Sequence, residues 1–297
     1  MKDKAQVGLK LEVPTVRKSS QMQQMKSMST LIEIEDNYDH MENVEYILEN
    51  VLMPDDGSLE FRHLQDDYNS HLTLSCKCSN NNNCCNNIDF CHKGGLKYMR
   101  VKGELVVIPN ESQQFRSILE CNELCECQIS KCLNRRVQYG PRQKLEVFES
   151  PLYKSKGLRT TAYIPSGAFI CEYAGELLTL SEAQKRIQII DENCQMNYIL
   201  CLYEHSKTRL ITIVDPSKRG NIGRYLNHSC QPNCKILPVR TNCPIPKIGI
   251  FAKRDILANE ELCFHYAGGD NYNGMLNGKP CLCGSTHCNG FIPNTQI

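Results

Sequence analysis

The chain is predicted to be mainly β, and three features of its 297 residues predict this. Beyond about Leu145 short apolar runs rich in Ile, Val, Phe and Tyr alternate with turn residues: GLRTTAYI, AFICEY, RLITIV, IGIFA and ELCFHY. Only one stretch in this body has a convincing helical period. Ahead of it lies a cysteine-dense segment too poor in apolar runs to form a core unaided, which needs a staple such as metal.

Taken in order, residues 1 to about 70 contain no cysteine. They hold a Met/Gln/Ser-rich patch, SSQMQQMKSMS, and an acidic run, IEIEDNYDHMENVEYILEN. This composition predicts a partly disordered arm (1-73) with one amphipathic helix near Val44 to Val51. In the Cys-rich segment (74-142), LVVIP reads as a hairpin strand. The one helix of the β body is expected over Ser181 to Asp191, with Ser181 as cap, Gln184 at the capping-box position, and Ala183, Ile187 and Ile190 on one face. No run of about 18 apolar residues offers a membrane span, and the polar start MKDKAQVGLK lacks a secretory apolar stretch. Both point to an intracellular chain without a membrane partner.

Nineteen cysteines in a reducing compartment point to metal rather than disulfides. Cys76, Cys78, Cys84, Cys85 and Cys91 form one group; Cys121, Cys125, Cys127 and Cys132 form another. Three tetrahedral zinc ions need about twelve ligand bonds, and these nine thiolates supply them if three bridge two ions each. The tail CLCGSTHC places Cys281, Cys283 and Cys288 as C-x-C-x4-C, one donor short of a closed site. The absence of C-x2-C with downstream H-x3-H spacing argues against a zinc-finger DNA module. In GRYLNHSCQPNC, Cys230 and His228 are two apart on a turn, a poor arrangement for a thiolate-imidazole nucleophile.

The nine-cysteine segment, ECNELCECQISKCLNRRVQYG, EYAGE, GNIGRYLNHSCQPNC and the terminal C-x-C-x4-C occur in an order that resembles the SET-domain histone-lysine N-methyltransferases, over roughly residues 75–293. Within that family CEYAGELLTLSEAQKRI, NYIL, GNIGRYLNHSC and PVR look most like the member whose SET part is fused to a mariner transposase, although no transposase portion follows here. The resemblance implies a SET fold (β-clip, pseudoknot-like) at 143-268, between a pre-SET zinc cluster and a post-SET zinc module at 277-293. It also implies S-adenosyl-L-methionine as methyl donor, four structural Zn2+ ions, a histone H3 tail or nucleosome as partner, and a nuclear, chromosomal location. Cys230 is then the missing tail ligand. Counting ions and thiolates moves the formal charge of +1 to about −4, which suits a basic peptide better than direct duplex-DNA binding by the core.

By the family's motif positions Tyr266 is the catalytic tyrosine and Tyr173 lines the same lysine channel. Phe264 stands where relatives that stop at monomethylation carry a tyrosine, which implies di- or trimethylation. Asn227, His228, Arg224 and Tyr198 fall where the donor is held, as does the loop Ser155, Lys156 and Gly157. That loop departs from the family's Gly-Trp-Gly, and serine fits only if positive φ is not required. His265 replaces the usual aspartate before the catalytic tyrosine. These departures keep a catalytically weakened, chromatin- or peptide-binding SET protein as the alternative. The target is the lysine-36 or the lysine-9 mark. Cys234 has no place in the zinc count and is expected to be a packed or surface thiol, while the sequence leaves open whether Cys171, Cys194, Cys201, Cys243 and Cys263 are simply buried thiols.

Overall fold

The computed structural model describes residues 44–77, 92, 95–107, 117–127, 132–204, 210–267, 279–293 and 297. Its main core is built on IGIFA, an apolar run without polar alternation, as a strand buried on both faces requires. This run lies in β15 (Lys247–Ala252), inside a four-stranded sheet ordered β5 (Ile118–Leu119), β14 (Cys234–Arg240), β15, β8 (Phe169–Glu172). Ile248, Ile250 and Ala252 face one apolar cluster with Leu158, Ile170 and Val214, while Phe251 packs on Phe169 in a second, ring centroids 5.3 Å apart. Each such fully buried side chain is worth about 1.5–3 kcal/mol.

β14 escapes a reading by strand composition because Pro238 interrupts it. The proline pairs with Ile248 of β15, and parallel pairing with β5 begins only at Val239. No β5 ladder bond is therefore required at the position that lacks an N–H.

A second sheet runs β10 (Leu200–Glu204), β11 (Leu210–Asp215), β9 (Glu176–Leu177), β2 (Val51–Leu52). The segment expected to be helical near Val44 to Val51 is thus corrected: it forms β1 (Glu45–Tyr46), parallel to β12 (Arg219–Gly220), and then β2, parallel to β9. Two-residue strands carry too little pattern to be seen in sequence. Their stability comes from neighbours: Lys247 Nζ bridges Glu49 of this segment (3.1 Å) and buried Glu172 (2.8 Å).

A helix does follow, α1 (Leu59–Asn69), capped by Ser58, whose Oγ accepts from the Phe61 amide at 2.9 Å. Phe61 is buried against Met53, Leu178 and Ala183, so the arm is integrated with the body from residue 44 onward. Residues 1–43 lie outside the described set.

The anticipated second helix is α2 (Leu180–Glu192), with Ala183 and Ile190 buried and Ile187 packed beside them as expected. Its cap is corrected from Ser181 to Thr179, which has extended backbone (ψ 161°) and accepts from the Glu182 amide. Thr179 and Glu182 have the spacing of a capping box, while Ser181 Oγ donates to Glu60 of α1. On α2, Arg186 reaches Glu182 (2.8 Å), Glu176 of β9 (2.6 Å) and Asp215 of β11 (2.8 Å), locking the helix to the sheet.

LVVIP gives β4 (Glu104–Val107), hairpinned to β3 (Tyr98–Val101). Another hairpin joins β6 (Leu145–Ser150) to β7 (Ser155–Thr160). The C-terminal strand β16 (Cys263–Phe264) then lies parallel to β13 (Asn227–His228), Asn227 opposite Cys263 and His228 opposite Phe264. This pairing brings the late ELCFHY segment against the Asn-His turn, the threaded arrangement that general chain rules disfavour. No helix among the described residues is long and apolar enough to cross a membrane.

Candidate active site and metal centres

Three aromatic residues cluster where β8 ends and β16 passes the Asn-His turn. Phe264 packs on Tyr266 (centroids 4.9 Å) and edge-on to Tyr173 (6.0 Å). The Tyr266 hydroxyl donates to the Leu226 carbonyl at 3.0 Å, and the Tyr173 hydroxyl donates to the Tyr198 carbonyl at 2.6 Å. Burial, and then the neighbouring Cys263 for Tyr266 or Tyr266 for Tyr173, pushes both phenols above their ordinary range. At neutral pH they are hydroxyls that orient a partner, not phenolate bases.

Arg224 and Tyr198 meet as a cation–π pair, the guanidinium carbon 4.4 Å from the ring centroid, with Arg224 Nε fixed on the Pro216 carbonyl. The turn that carries Arg224 approaches Tyr173 because of Gly223. A Cβ there would lie 2.6 Å from the Glu172 carbonyl and 3.0 Å from Tyr173 Cα.

On the other side, Asn227 Nδ2 donates to the Lys156 carbonyl (3.2 Å) and to Glu261 Oε1 (2.9 Å). Gly157 sits beneath that carboxylate: a Cβ would fall 2.4 Å from Glu261 Oε1. The loop that departs from Gly-Trp-Gly therefore keeps its backbone bonded to the Asn-His turn. The left-handed residue in this stretch is Lys154 (φ 52°), whereas Ser155 already opens β7, so serine meets no conformational obstacle. Lys156 points its ammonium toward Glu149 at 3.9 Å on the surface. His265 is buried, its ring edge-on to His228 at 4.8 Å.

His228 is 2% exposed. Its Nδ1 accepts from the Tyr266 amide (3.2 Å), its carbonyl accepts from the Tyr153 hydroxyl (2.7 Å), and its Nε2 lies 3.4 Å from Cys230 Sγ. Burial, then His265, lowers its pKa to about 4.

Cys230, Cys281, Cys283 and Cys288 converge, with all Sγ atoms within 4.8 Å of one another. The sequence had paired the tail with Cys230 only by resemblance; here the four sulfurs form one group. Cys230 and Cys281 Sγ are 3.9 Å apart, matching the roughly 3.8 Å between sulfurs set about 2.3 Å from a tetrahedral zinc. The Asn289 amide donates to Cys230 Sγ and the Gly290 amide to Cys288 Sγ, each at 3.4 Å.

The other cysteines give two groups, Cys76–His92–Cys121–Cys125 and Cys121–Cys127–Cys132. Cys76 and Cys121 Sγ are 3.8 Å apart, and His92 Nε2 is 3.4 Å from Cys125 Sγ, close to the roughly 3.5 Å expected of nitrogen and sulfur on one zinc. Buried Arg135 lies 3.7 Å from Cys127 Sγ, a cation whose burial calls for negative partners such as thiolates. The residues therefore fit zinc. Cys121 is shared between the two groups, as a bridging ligand would be. Cys78, Cys84, Cys85 and Cys91 lie outside the described residues. Cys234 joins no metal group and is a buried thiol donating to Asn233 Oδ1; Cys171 and Cys263 are also buried.

Sequence reasoning missed His92, Tyr153, Glu261 and the carbonyls of Leu226 and Tyr198. A histidine directly after Cys91 was a visible signal for the first. The carbonyls leave none.

The SET domain family matches residues 155–267. The probable histone-lysine N-methyltransferase set-23 of Caenorhabditis elegans is 44% identical over 180 residues, 59% of this chain and 72% of that protein. The chain belongs to the SET-domain family. Histone-lysine N-methyltransferase SETMAR of Bos taurus is 43% identical over 198 residues, 63% of this chain and 64% of that protein, so less than two thirds of that relative is spanned. The crystal structure of the methyltransferase domain of human SETMAR superposes with a TM-score of 0.69 at 33% identity, covering 85% of this chain and 90% of that one.

Proposed function

We propose that this chain is an active protein-lysine methyltransferase that moves methyl groups from S-adenosyl-L-methionine to a lysine of histone H3, the lysine-36 or lysine-9 mark, reaching the di- or trimethyl state on chromatin in the nucleus. The observation that carries the reading is the Tyr266–Phe264–Tyr173 cluster hydrogen-bonded to the strand and turn that hold Asn227, His228, Arg224 and Tyr198.

Free lysine has a pKa near 10.4, so about one in a thousand is neutral near pH 7.4. A channel walled by Phe264 and two protonated tyrosines disfavours the ammonium form by desolvation. With its proton engaged by the Leu226 carbonyl, the Tyr266 oxygen is left to accept from the substrate amine, which turns the nitrogen lone pair along the channel. Tyr173 is pinned to Tyr198 and holds the channel's width. Phe264 brings no hydroxyl that could fix a water and fill the space of a second methyl. Bound S-adenosylmethionine supplies an electrophilic methyl group on a sulfonium.

Lys156 and Asn227 hold the loop and turn together from the donor side. The ordinary backbone of Ser155 supports activity over the weakened alternative. Zinc at the Cys230, Cys281, Cys283 and Cys288 group would anchor the tail. The other ions would sit on Cys76, His92, Cys121, Cys125, Cys127 and Cys132 together with Cys78, Cys84, Cys85 and Cys91; with His92 as a ligand, two bridging thiolates rather than three complete the roughly twelve bonds. None of this zinc takes part in the chemistry.

The test is mass spectrometry of histone H3 peptides after incubation with labelled donor. Stepwise mass gains at one lysine are expected, and Tyr266→Phe should lower the rate by about 100-fold, a typical loss for one oriented transition-state group. No transfer, together with no donor binding by calorimetry, rejects the enzyme reading.

A further inference from the structure

We propose that the His228 side chain is a positioning residue that ties the tail metal group to the catalytic strand, through one imidazole that accepts from Tyr266 and donates to Cys230. The proposal rests on the reading of the Cys230 group as a zinc site.

The tautomer follows from the partners. The Tyr266 amide can only donate, and it does so to Nδ1 at 3.2 Å. The neutral ring then carries its proton on Nε2. That atom lies 3.4 Å from Cys230 Sγ, a fitting N–H···S contact. The Asn289 amide approaches the same sulfur at 3.4 Å, so donors from the turn and from the tail converge on one ligand.

The ring has little freedom. It is 2% exposed and packs edge-on against the rings of Tyr266 (5.3 Å) and His265 (4.8 Å). The backbone of the turn is secured independently, by pairing of His228 with Phe264, by the Ser229 amide on the Phe264 carbonyl and by Tyr153 on the His228 carbonyl. The side chain is therefore not needed to hold the strands together. What it adds is a second anchor: the Tyr266 amide is held by the His228 ring while the Tyr266 hydroxyl is held by the Leu226 carbonyl. Hydrogen bonds around a ligand orient it and tune its affinity for the metal. Loading of the tail and aim of the catalytic hydroxyl are thus joined by two bonds through one ring.

The zinc-loaded full chain, labelled with 15N-histidine, is first read by long-range 1H–15N correlation. His228 should be neutral with its proton on Nε2; an Nδ1–H or doubly protonated ring overturns the proposal whatever the activity. Two variants then split the ring's functions. His228→Gln places an amide donor near Nε2, and His228→Asn places an acceptor near Nδ1. Zinc release to a chromophoric chelator is followed in the phase that Cys288→Ser lacks. That phase should be about tenfold faster in His228→Asn and unchanged in His228→Gln, whose kcat should fall instead. Equal release from wild type and both variants overturns the link. The NMR and release readouts need no substrate, so they report on the link even where the methyltransferase reading fails.

Discussion

The pre-SET thiols and the tail thiols are bound to different parts of the molecule. Cys76, Cys121, Cys125, Cys127 and Cys132 are all buried and form an apolar cluster of their own, with the Cys76 and Asn122 amides donating to Cys125. The tail sulfurs are half-buried, and the Cys230 they meet sits two residues from His228 in the turn that faces Tyr266. The first group replaces a hydrophobic core that its segment cannot build. The second, on the proposed function, would hold the active site's wall without contributing a core. Metal loss should therefore unfold one region and misalign the other.

The largest effect is expected where the pre-SET groups share a ligand. Structural zinc contributes on the order of 10–16 kcal/mol, comparable with the roughly 5–15 kcal/mol stability of a whole domain. Cys121→Ser should abolish cooperative thermal unfolding by circular dichroism and lower bound zinc by more than one equivalent. An unchanged melting curve would break the contrast at its strong end.

A change outside both metal groups provides the reference. Arg186→Met strands buried Glu176 and Asp215, at a cost of about 3–5 kcal/mol. The melting temperature should fall by about 6–20 °C, while zinc content and activity per folded molecule remain. Next in size is His92→Ala, which should speed release of one pre-SET zinc about tenfold, with His92→Cys restoring slow release. Identical rates in all three would remove His92 from the ligands. The smallest change in stability is expected of Phe264→Tyr, which adds one hydroxyl beside Tyr173. Its effect lies in the product: mass spectrometry should show monomethyl lysine accumulating.

The same contrast separates what the sequence made legible from what it hid. Cysteine spacing is local, so the two cysteine groups and the tail's missing donor could be read from the residues, whereas Cys230, Asn227, His228, Phe264 and Tyr266 were singled out only through the resemblance of the NHSC and CFHY motifs to the SET family. The strands β1 and β2 were hidden because each is two residues long and is stabilised by β12 and β9, far away in the chain. Pro238 disguised β14 for a local reason that only the register with β5 resolves. Thr179 was legible, since TLSE has the capping-box spacing, but Ser181 within the same motif drew the assignment two residues too far. The Leu226 and Tyr198 carbonyls carry no side-chain signature, so their part in aiming two tyrosines emerges only when the threaded strand is in place.

The most direct measurement compares zinc content, melting temperature and methyl transfer to histone H3 in Cys288→Ser and in wild type. Loss of a single zinc equivalent, a melting curve within a few degrees of wild type and a methylation rate at least tenfold lower are predicted. Full activity after loss of that zinc would contradict the assignment of the tail to the active site.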